Sequence, residues 1–274
     1  MTLGIDIGGT TINLGLISGS QVIKKIQIPS FPKTATLDDT LIYLGDQIEA
    51  FLEPGVKKIG IGVPSLTDPV KGIVYNAANI PSWDVVPLKE TLEARFDIPV
   101  FVNNDANCYA LGASVKVGPG PSTVVTVTLG TGTGVGIVLD GKLFCGTHCG
   151  AGEIASIPYE GADYESFCSK KYFVNRGLDP LALSKAAAAG DETAKAHFRD
   201  FGRHMGVFLS VVMYAYDADV IVLGGGIAHT FPHFCDAMWE ALRTNYPYQA
   251  ALDCLKIIAN PDEDTAIVGA ASLA

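Results

Sequence analysis

The stretch VNNDANCYA (102–110) carries an aspartate between an apolar run and a helical pattern. A carboxylate at a helix entrance stays ionised, because the helix end favours negative charge. There Asp105 could orient and deprotonate a hydroxyl, which is what phosphoryl transfer to an alcohol asks of a base. The plain structural reading of Asp105 is an N-cap, a common use of Asp. Asn104 could hold a neighbouring hydroxyl. Two glycine–threonine turns offer complementary chemistry. In DIGGT (6–10), Gly8 and Gly9 permit a tight turn and let backbone N–H groups approach an anion, and Thr10 adds a hydroxyl. Asp6 could hold Mg²⁺ through water, since that ion keeps much of its hydration. LGTGTGVG (129–136) repeats the construction with Gly130, Thr131, Gly132 and Gly134. One such turn is an ordinary hairpin. Two at matching points of a duplicated plan could grip phosphate from both halves. Neither is a P-loop, lacking the Gly-Lys-Ser/Thr run, and neither is a Rossmann fingerprint, since a hairpin follows. LGGGIA (223–228) brings Gly224, Gly225 and Gly226 to the end of an expected strand, where a flat group such as adenine can lie against backbone.

A fifth stretch, GAGEIASIPYEGADYESFCS (150–169), holds Glu153, Glu160, Asp163 and Glu165, with Cys145, His148 and Cys149 just upstream and Cys168 within it. The choices are a metal, acid–base chemistry, or a polyhydroxyl ligand. Zinc fits poorly, because these cysteines lack the paired knuckle spacing. Carboxylates would suit a ligand with many hydroxyls, whose O–H groups they accept, and the rest of the chain has to decide. Glu160 and Asp163 default to solvated loop acids. His197, His204, His229 and His233 are assigned no role and are taken as surface or helix residues.

The elements that must position these groups follow from pattern. Residues 3–8, 12–17 and 21–28 read as strands, 37–53 as a helix, 57–63 as a strand, 87–95 as a helix and 98–102 as a strand. The second half repeats the order: strands 123–129, 134–139 and 142–145, helices near 164–173, 180–189 and 192–216, strand 219–223, helix 231–244, strand 255–258 and helix 264–273. The duplication predicts two similar α/β lobes with a central cleft. The boundary is expected near residues 106–121, with 1–110 in one lobe and 111–261 in the other. A net charge of −10 repels nucleic-acid phosphates and argues against a basic groove. No apolar run is long enough for a membrane span, and the N-terminus lacks a signal-peptide pattern, so a soluble cytoplasmic protein is expected. The six scattered cysteines are expected as free thiols, five of them in buried-looking contexts.

In this order and at these spacings, DIGGT, GVPSLTDPVKGIVYNAANIPSW (62–83), NNDAN, LGTGTGVG, GAGEI and LGGG resemble the ROK family of sugar kinases and repressors. The resemblance covers essentially the whole chain. It implies two duplicated ribonuclease H-like (actin-like ATPase) lobes, with the C-terminal helix (262–274) returning to the first, and ATP- and Mg²⁺-dependent phosphorylation of the 6-hydroxyl of a hexose or N-acetylhexosamine. The implied enzyme is of glucokinase or N-acetylmannosamine kinase type, and family members are often dimers. By position it implies Asp105 as base and Asn79, Asn104, Glu153 and Glu165 as sugar contacts. Ser65 stands where the family carries a glycine near the sugar. Asp6, Gly8, Gly9, Thr10, Gly130, Thr131, Gly132, Gly134, Gly224, Gly225 and Gly226 fall on the ATP side. The family's GEIGH reads Gly-Glu-Ile-Ala-Ser here, so Ser156 replaces a zinc-binding histidine that also touches sugar. Asp163 stands for a zinc-binding cysteine, and no structural zinc is expected. Two other readings compete: a sugar-binding regulator without turnover, and a polyphosphate-dependent glucokinase. ROK repressors carry a DNA-binding domain before this core; with five residues ahead of Asp6, a direct DNA-binding role is not expected. Polyphosphate favours a basic track, which the acidic balance does not supply.

Overall fold

The three opening apolar runs pair as a meander: Thr2–Ile7 antiparallel to Thr11–Ser18, and Thr11–Ser18 antiparallel to Gln21–Pro29. Gly19 turns the second corner at φ 61°, a conformation that costs an L side chain roughly 1–2 kcal/mol. Ile59–Val63 and Val100–Asn104 then join in parallel on the other side of Thr2–Ile7. Parallel partners need crossovers, which Leu37–Phe51 and Leu88–Phe96 supply. The first of these opens on a capping box. The Thr36 hydroxyl accepts from the Asp39 N–H at 3.2 Å, and the Asp39 carboxylate accepts from the Thr36 N–H at 3.1 Å. Leu44, Ile48 and Phe51 fill the buried side of this helix. The helix stops at Phe51, two residues short of the expected end, because Leu52 is already extended ahead of Pro54.

The computed structural model describes residues 1–274, which divide into two units. One is Met1–Pro119, Lys142–Ala151 and Asp264–Ala274; the other is Gly120–Gly141 and Gly152–Glu263. Residues 111–119 and 142–151 thus group with the first unit, where the repeat alone placed them in the second lobe. Within the first unit, helix Thr265–Ser272 meets backbone directly. A Cβ on Gly60 would lie 1.8 Å from the Ala270 carbonyl oxygen, one on Gly112 1.9 Å from that of Thr265, and one on Gly269 1.6 Å from that of Cys108. The region after Pro64, expected as loop, contains a small antiparallel sheet of Leu66–Asp68, Ile73–Tyr75 and Val85–Val86.

The second unit repeats the hairpin-then-parallel plan. Thr123–Leu129 pairs antiparallel with Thr133–Leu139 and parallel with Val220–Gly224, and Lys256–Ala259 follows in parallel. Helix Glu192–Tyr216, capped by Asp191 at 2.8 Å, packs on Phe231–Asn245. A Cβ on Gly206 would sit 2.2 Å from the Met238 carbonyl oxygen. The helix expected near 164–173 is two short ones, Tyr164–Cys168 and Lys170–Val174, because Ser169 is extended and its hydroxyl caps the second at 3.1 Å. The strand expected at 142–145 shortens to Lys142–Leu143. All six cysteines are free, and Cys254 is the exposed one. No helix is long and apolar enough to cross a membrane.

Candidate active site

In the first unit, strand register assembles the site. Asp6 lies opposite Gly62, and Gly62 opposite Asn103. Asp6 and residues 103–105 therefore reach the same edge, at the carboxyl ends of parallel strands, where open α/β sheets bind ligands. Gly62 makes room there: a Cβ on it would lie 3.2 Å from the Cys108 sulfur and 3.5 Å from the Asp105 Cα. Helix Asp105–Val117 rises from this point. Its cap is Asn104 rather than Asp105. The Asn104 Oδ1 accepts from the N–H groups of Ala106 (2.9 Å) and Asn107 (3.2 Å), and its Nδ2 donates to the Ser65 carbonyl at 3.1 Å. The amide expected to hold a sugar hydroxyl is thus already engaged in the fold. Asp105 becomes the first helical residue, half-buried, with its Oδ1 accepting from the Ala106 N–H at 2.9 Å.

Burial pushes the Asp6 carboxyl above its usual range, and a long contact from the Asn13 amide at 3.5 Å offsets this in part. A buried carboxylate with a neutral neighbour is a fitting anchor for a hydrated Mg²⁺, whose charge would favour the ionised form. The turn after Asp6 is held from below. The Gly8 N–H donates to the Thr11 carbonyl (2.9 Å), the Ser30 hydroxyl to the Gly8 carbonyl (2.7 Å) and the Ser30 N–H to the Thr10 carbonyl (2.9 Å). Asn79 comes onto this turn in a left-handed conformation (φ 67°), so close that a Cβ on Gly9 would lie 2.9 Å from the Asn79 Cβ. Its loop is anchored by Trp83, fully buried, whose indole N–H donates to the Thr40 hydroxyl at 2.7 Å. Ser65 keeps a buried hydroxyl with no hydrogen-bond partner.

In the second unit, Gly134 faces Thr128, and Thr128 faces Gly224, so the two glycine segments share one sheet edge. The turn at 130–132 is closed by the Gly130 N–H on the Gly132 carbonyl (3.0 Å), and the Lys170 N–H donates to the Gly130 carbonyl (2.9 Å). Thr131 is exposed at its tip. Gly225 must be glycine: φ is 78°, and a Cβ would lie 2.5 Å from the Leu129 carbonyl oxygen. Gly130 and Gly226 face open space. Glu165 is tied to this turn. It accepts from the Thr133 N–H at 3.1 Å and pairs with Lys171, and a Cβ on Gly132 would lie 2.3 Å from its Oε2. Glu153 and Ser156 occupy the exposed short helix Glu153–Ser156. Although the Glu153 side chain reaches solvent, partial burial first, and the charge of Glu165 second, push its carboxyl upward.

The remaining acids take structural roles. Asp163 caps Tyr164–Cys168 through the Ser166 N–H at 2.8 Å, and Glu160 pairs with Arg203 at 3.3 Å. His204, read as a surface or helix residue, is helical but buried, with Nδ1 3.0 Å from the Tyr159 hydroxyl. Sequence reasoning passed over Asn103, Asn107 and Lys171. Asn103 lies near the end of the strand and Asn107 in the first turn of the helix, and their common place in the NNDAN run was the available signal. The Asn107 Nδ2 donates to the Asn103 Oδ1 at 3.0 Å.

The ROK family model matches residues 2–274. An N-acetyl-D-glucosamine kinase of Escherichia coli O1:K1 / APEC is 31% identical over 273 residues, covering 88% of this chain and 89% of the relative. One from Salmonella typhi is 30% identical over 84% of this chain and 85% of its own. A ROK family glucokinase from Streptomyces griseus, solved with glucose and AMPPNP, superposes with a TM-score of 0.84 at 26% identity, over 100% of this chain and 98% of that one.

Proposed function

Because the chain belongs to the ROK family and has its actin-like ATPase fold, we propose that it is an ATP-dependent sugar kinase that phosphorylates the 6-hydroxyl of a hexose or N-acetylhexosamine. The observation that carries this reading is the shared strand edge of Asp6 and residues 103–105, with the glycine turn at 8–10 beside it. Asp105 serves as base: it sits at a helix N-terminus, where the dipole keeps a carboxylate ionised, and the cap bonds fall to Asn104. Asn79 and the unpartnered Ser65 hydroxyl add polar groups for sugar binding. Gly8, Gly9 and Thr10, with Gly130, Thr131, Gly132 and Gly134, bind phosphate groups, and Gly224, Gly225 and Gly226 the adenosine end. Mg²⁺ held through water by Asp6 supplies charge neutralisation on the phosphates. Glu153 and Ser156 complete the hydroxyl contacts, and Glu165, held by Thr133 and Lys171, offers a sugar hydroxyl only the lone pairs those two leave free. The reading includes a homodimer and a cytoplasmic location.

For the sugar, relatives at 30% and 31% identity support N-acetyl-D-glucosamine first. The test is a coupled ADP-release assay with ATP and Mg²⁺ over N-acetylglucosamine, N-acetylmannosamine, glucose, mannose, fructose, allose and a β-glucoside. The expected result is a kcat/KM for N-acetylglucosamine at least tenfold above the rest. Silence across the panel with sugar binding retained would overturn the kinase reading in favour of a sensor.

A further inference from the structure

Cys145 and Cys149 were set aside as zinc ligands by their spacing, yet the fold brings their sulfurs together beside the candidate base. The Asn107 Nδ2 lies 3.7 Å from the Cys145 sulfur and 3.6 Å from that of Cys149. Asn103 meets both as well, with its Nδ2 3.6 Å from Cys145 and its Oδ1 3.4 Å from Cys149. The Thr67 hydroxyl lies 3.3 Å from the Cys149 sulfur. Both sulfurs thus lie against the same pair of side-chain amides. Asn107 is 1% exposed and keeps an Oδ1 without a partner, so this polar pocket is not fully satisfied with both thiols reduced.

We propose that Cys145 and Cys149 form a peroxide-sensitive dithiol whose closure to a disulfide slows the enzyme by withdrawing both sulfurs from Asn103 and Asn107. The slowing rests on the reading of Asp105 as base; the disulfide does not.

Several features support the site. The S–H of Cys145 is the main cause that pulls the Cys149 thiol down to about 6, with the Thr67 hydroxyl and the backbone N–H groups of Thr67 and Asn104 adding to it. The Cys145 thiol is pushed up in turn. Burial instead pushes up the thiols of Cys108 and Cys168, which leaves them inert. Cys145 is half-buried on an exposed loop, which gives a small oxidant access. Gly146 (φ 70°) lies within the five-residue loop, and Cys149 itself holds φ 57°. A left-handed non-glycine residue is strained and marks a position held by its surroundings.

The step balances with peroxide as oxidant. The Cys149 thiolate attacks one peroxide oxygen; the S–O bond forms, the O–O bond breaks and hydroxide departs. The Cys145 sulfur then attacks the Cys149 sulfenic sulfur; the S–S bond forms, the S–O bond breaks, and the leaving hydroxide takes the Cys145 thiol proton and departs as water. Two electrons pass from the sulfurs to one peroxide.

The full chain would be treated with increasing hydrogen peroxide, quenched with N-ethylmaleimide and analysed by peptide mass spectrometry. The expected result is that the peptide carrying both cysteines loses two hydrogens and takes no label, while Cys254 is still labelled. Dithiothreitol restores both labels. Cys145→Ser and Cys149→Ser each abolish the two-hydrogen loss. Both cysteines still labelled, or either joined to a different cysteine, overturns the site whether or not the protein proves to be a kinase. For the switch, oxidised wild type is expected to lose at least tenfold in kcat and recover with dithiothreitol. Cys145→Ser should keep its own untreated rate under the same dose. A disulfide that forms with kcat unchanged overturns the switch.

Discussion

The two sheet edges that carry the glycine motifs are built alike and equipped differently. In the first unit the edge ends in side chains with chemistry: Asp6, Asn103, Asn104 and Asp105 on neighbouring parallel strands and the helix that follows. In the second unit the matching edge ends in glycine and backbone, with Glu165 clamped over its turn. One hairpin-plus-parallel-strand plan thus serves two tasks. A reacting proton needs a specific carboxylate. A phosphate or a flat base needs N–H groups and the absence of a Cβ.

The comparison breaks most sharply at Asp105. Asp105→Asn is expected to lower kcat by about 10²–10⁴ with sugar binding nearly unchanged. Calorimetric titration beside the ADP-release assay measures both, and equal kcat in mutant and wild type removes Asp105 as base. Next in size is the contrast between packing glycines and turn glycines. Gly60→Ala forces a methyl into the Ala270 carbonyl and should cost roughly 3 kcal/mol or more, read as a fall in urea midpoint. Gly130→Ala faces open space and should leave the midpoint within about 0.5 kcal/mol. A Gly130→Ala loss as large as that of Gly60→Ala would mean that the turn, too, is a packing device.

Gly132→Ala tests the clamp. Its methyl must displace the Glu165 carboxylate, the far end of a flexible side chain, so stability should drop by less than about 1 kcal/mol. The KM for ATP is expected to rise about tenfold, equivalent to about 1.4 kcal/mol of binding. An unchanged KM would detach this turn from the nucleotide. The smallest effect lies away from both edges. Thr36→Ala removes one side of the capping box and should cost about 1 kcal/mol in thermal or urea unfolding, with kcat/KM unaltered.

Much of this architecture was legible in the linear sequence. Alternating apolar residues and glycine turns gave the two meanders, since a period of two with a tight turn admits little else. The helix at 37–51 was announced by its apolar spacing, and the residues of both glycine turns were identifiable by type. The helix split at Ser169 was not legible, because a single side-chain cap decided it against a continuous helical pattern. The small sheet at 66–86 was missed because its strands are two or three residues long, too short for periodicity to register.

The sequence by itself determined which residues can do chemistry and that the plan is duplicated, because residue type and local period are properties of the chain. Only the tertiary structure decided how those groups are used. Asn104, not Asp105, caps the helix, Glu165 spends its carboxylate on Thr133 and Lys171, and Cys145 and Cys149 converge on Asn103 and Asn107. Each outcome is a competition for hydrogen-bond partners between residues brought together by strand register or loop closure, and neither is visible from spacing alone.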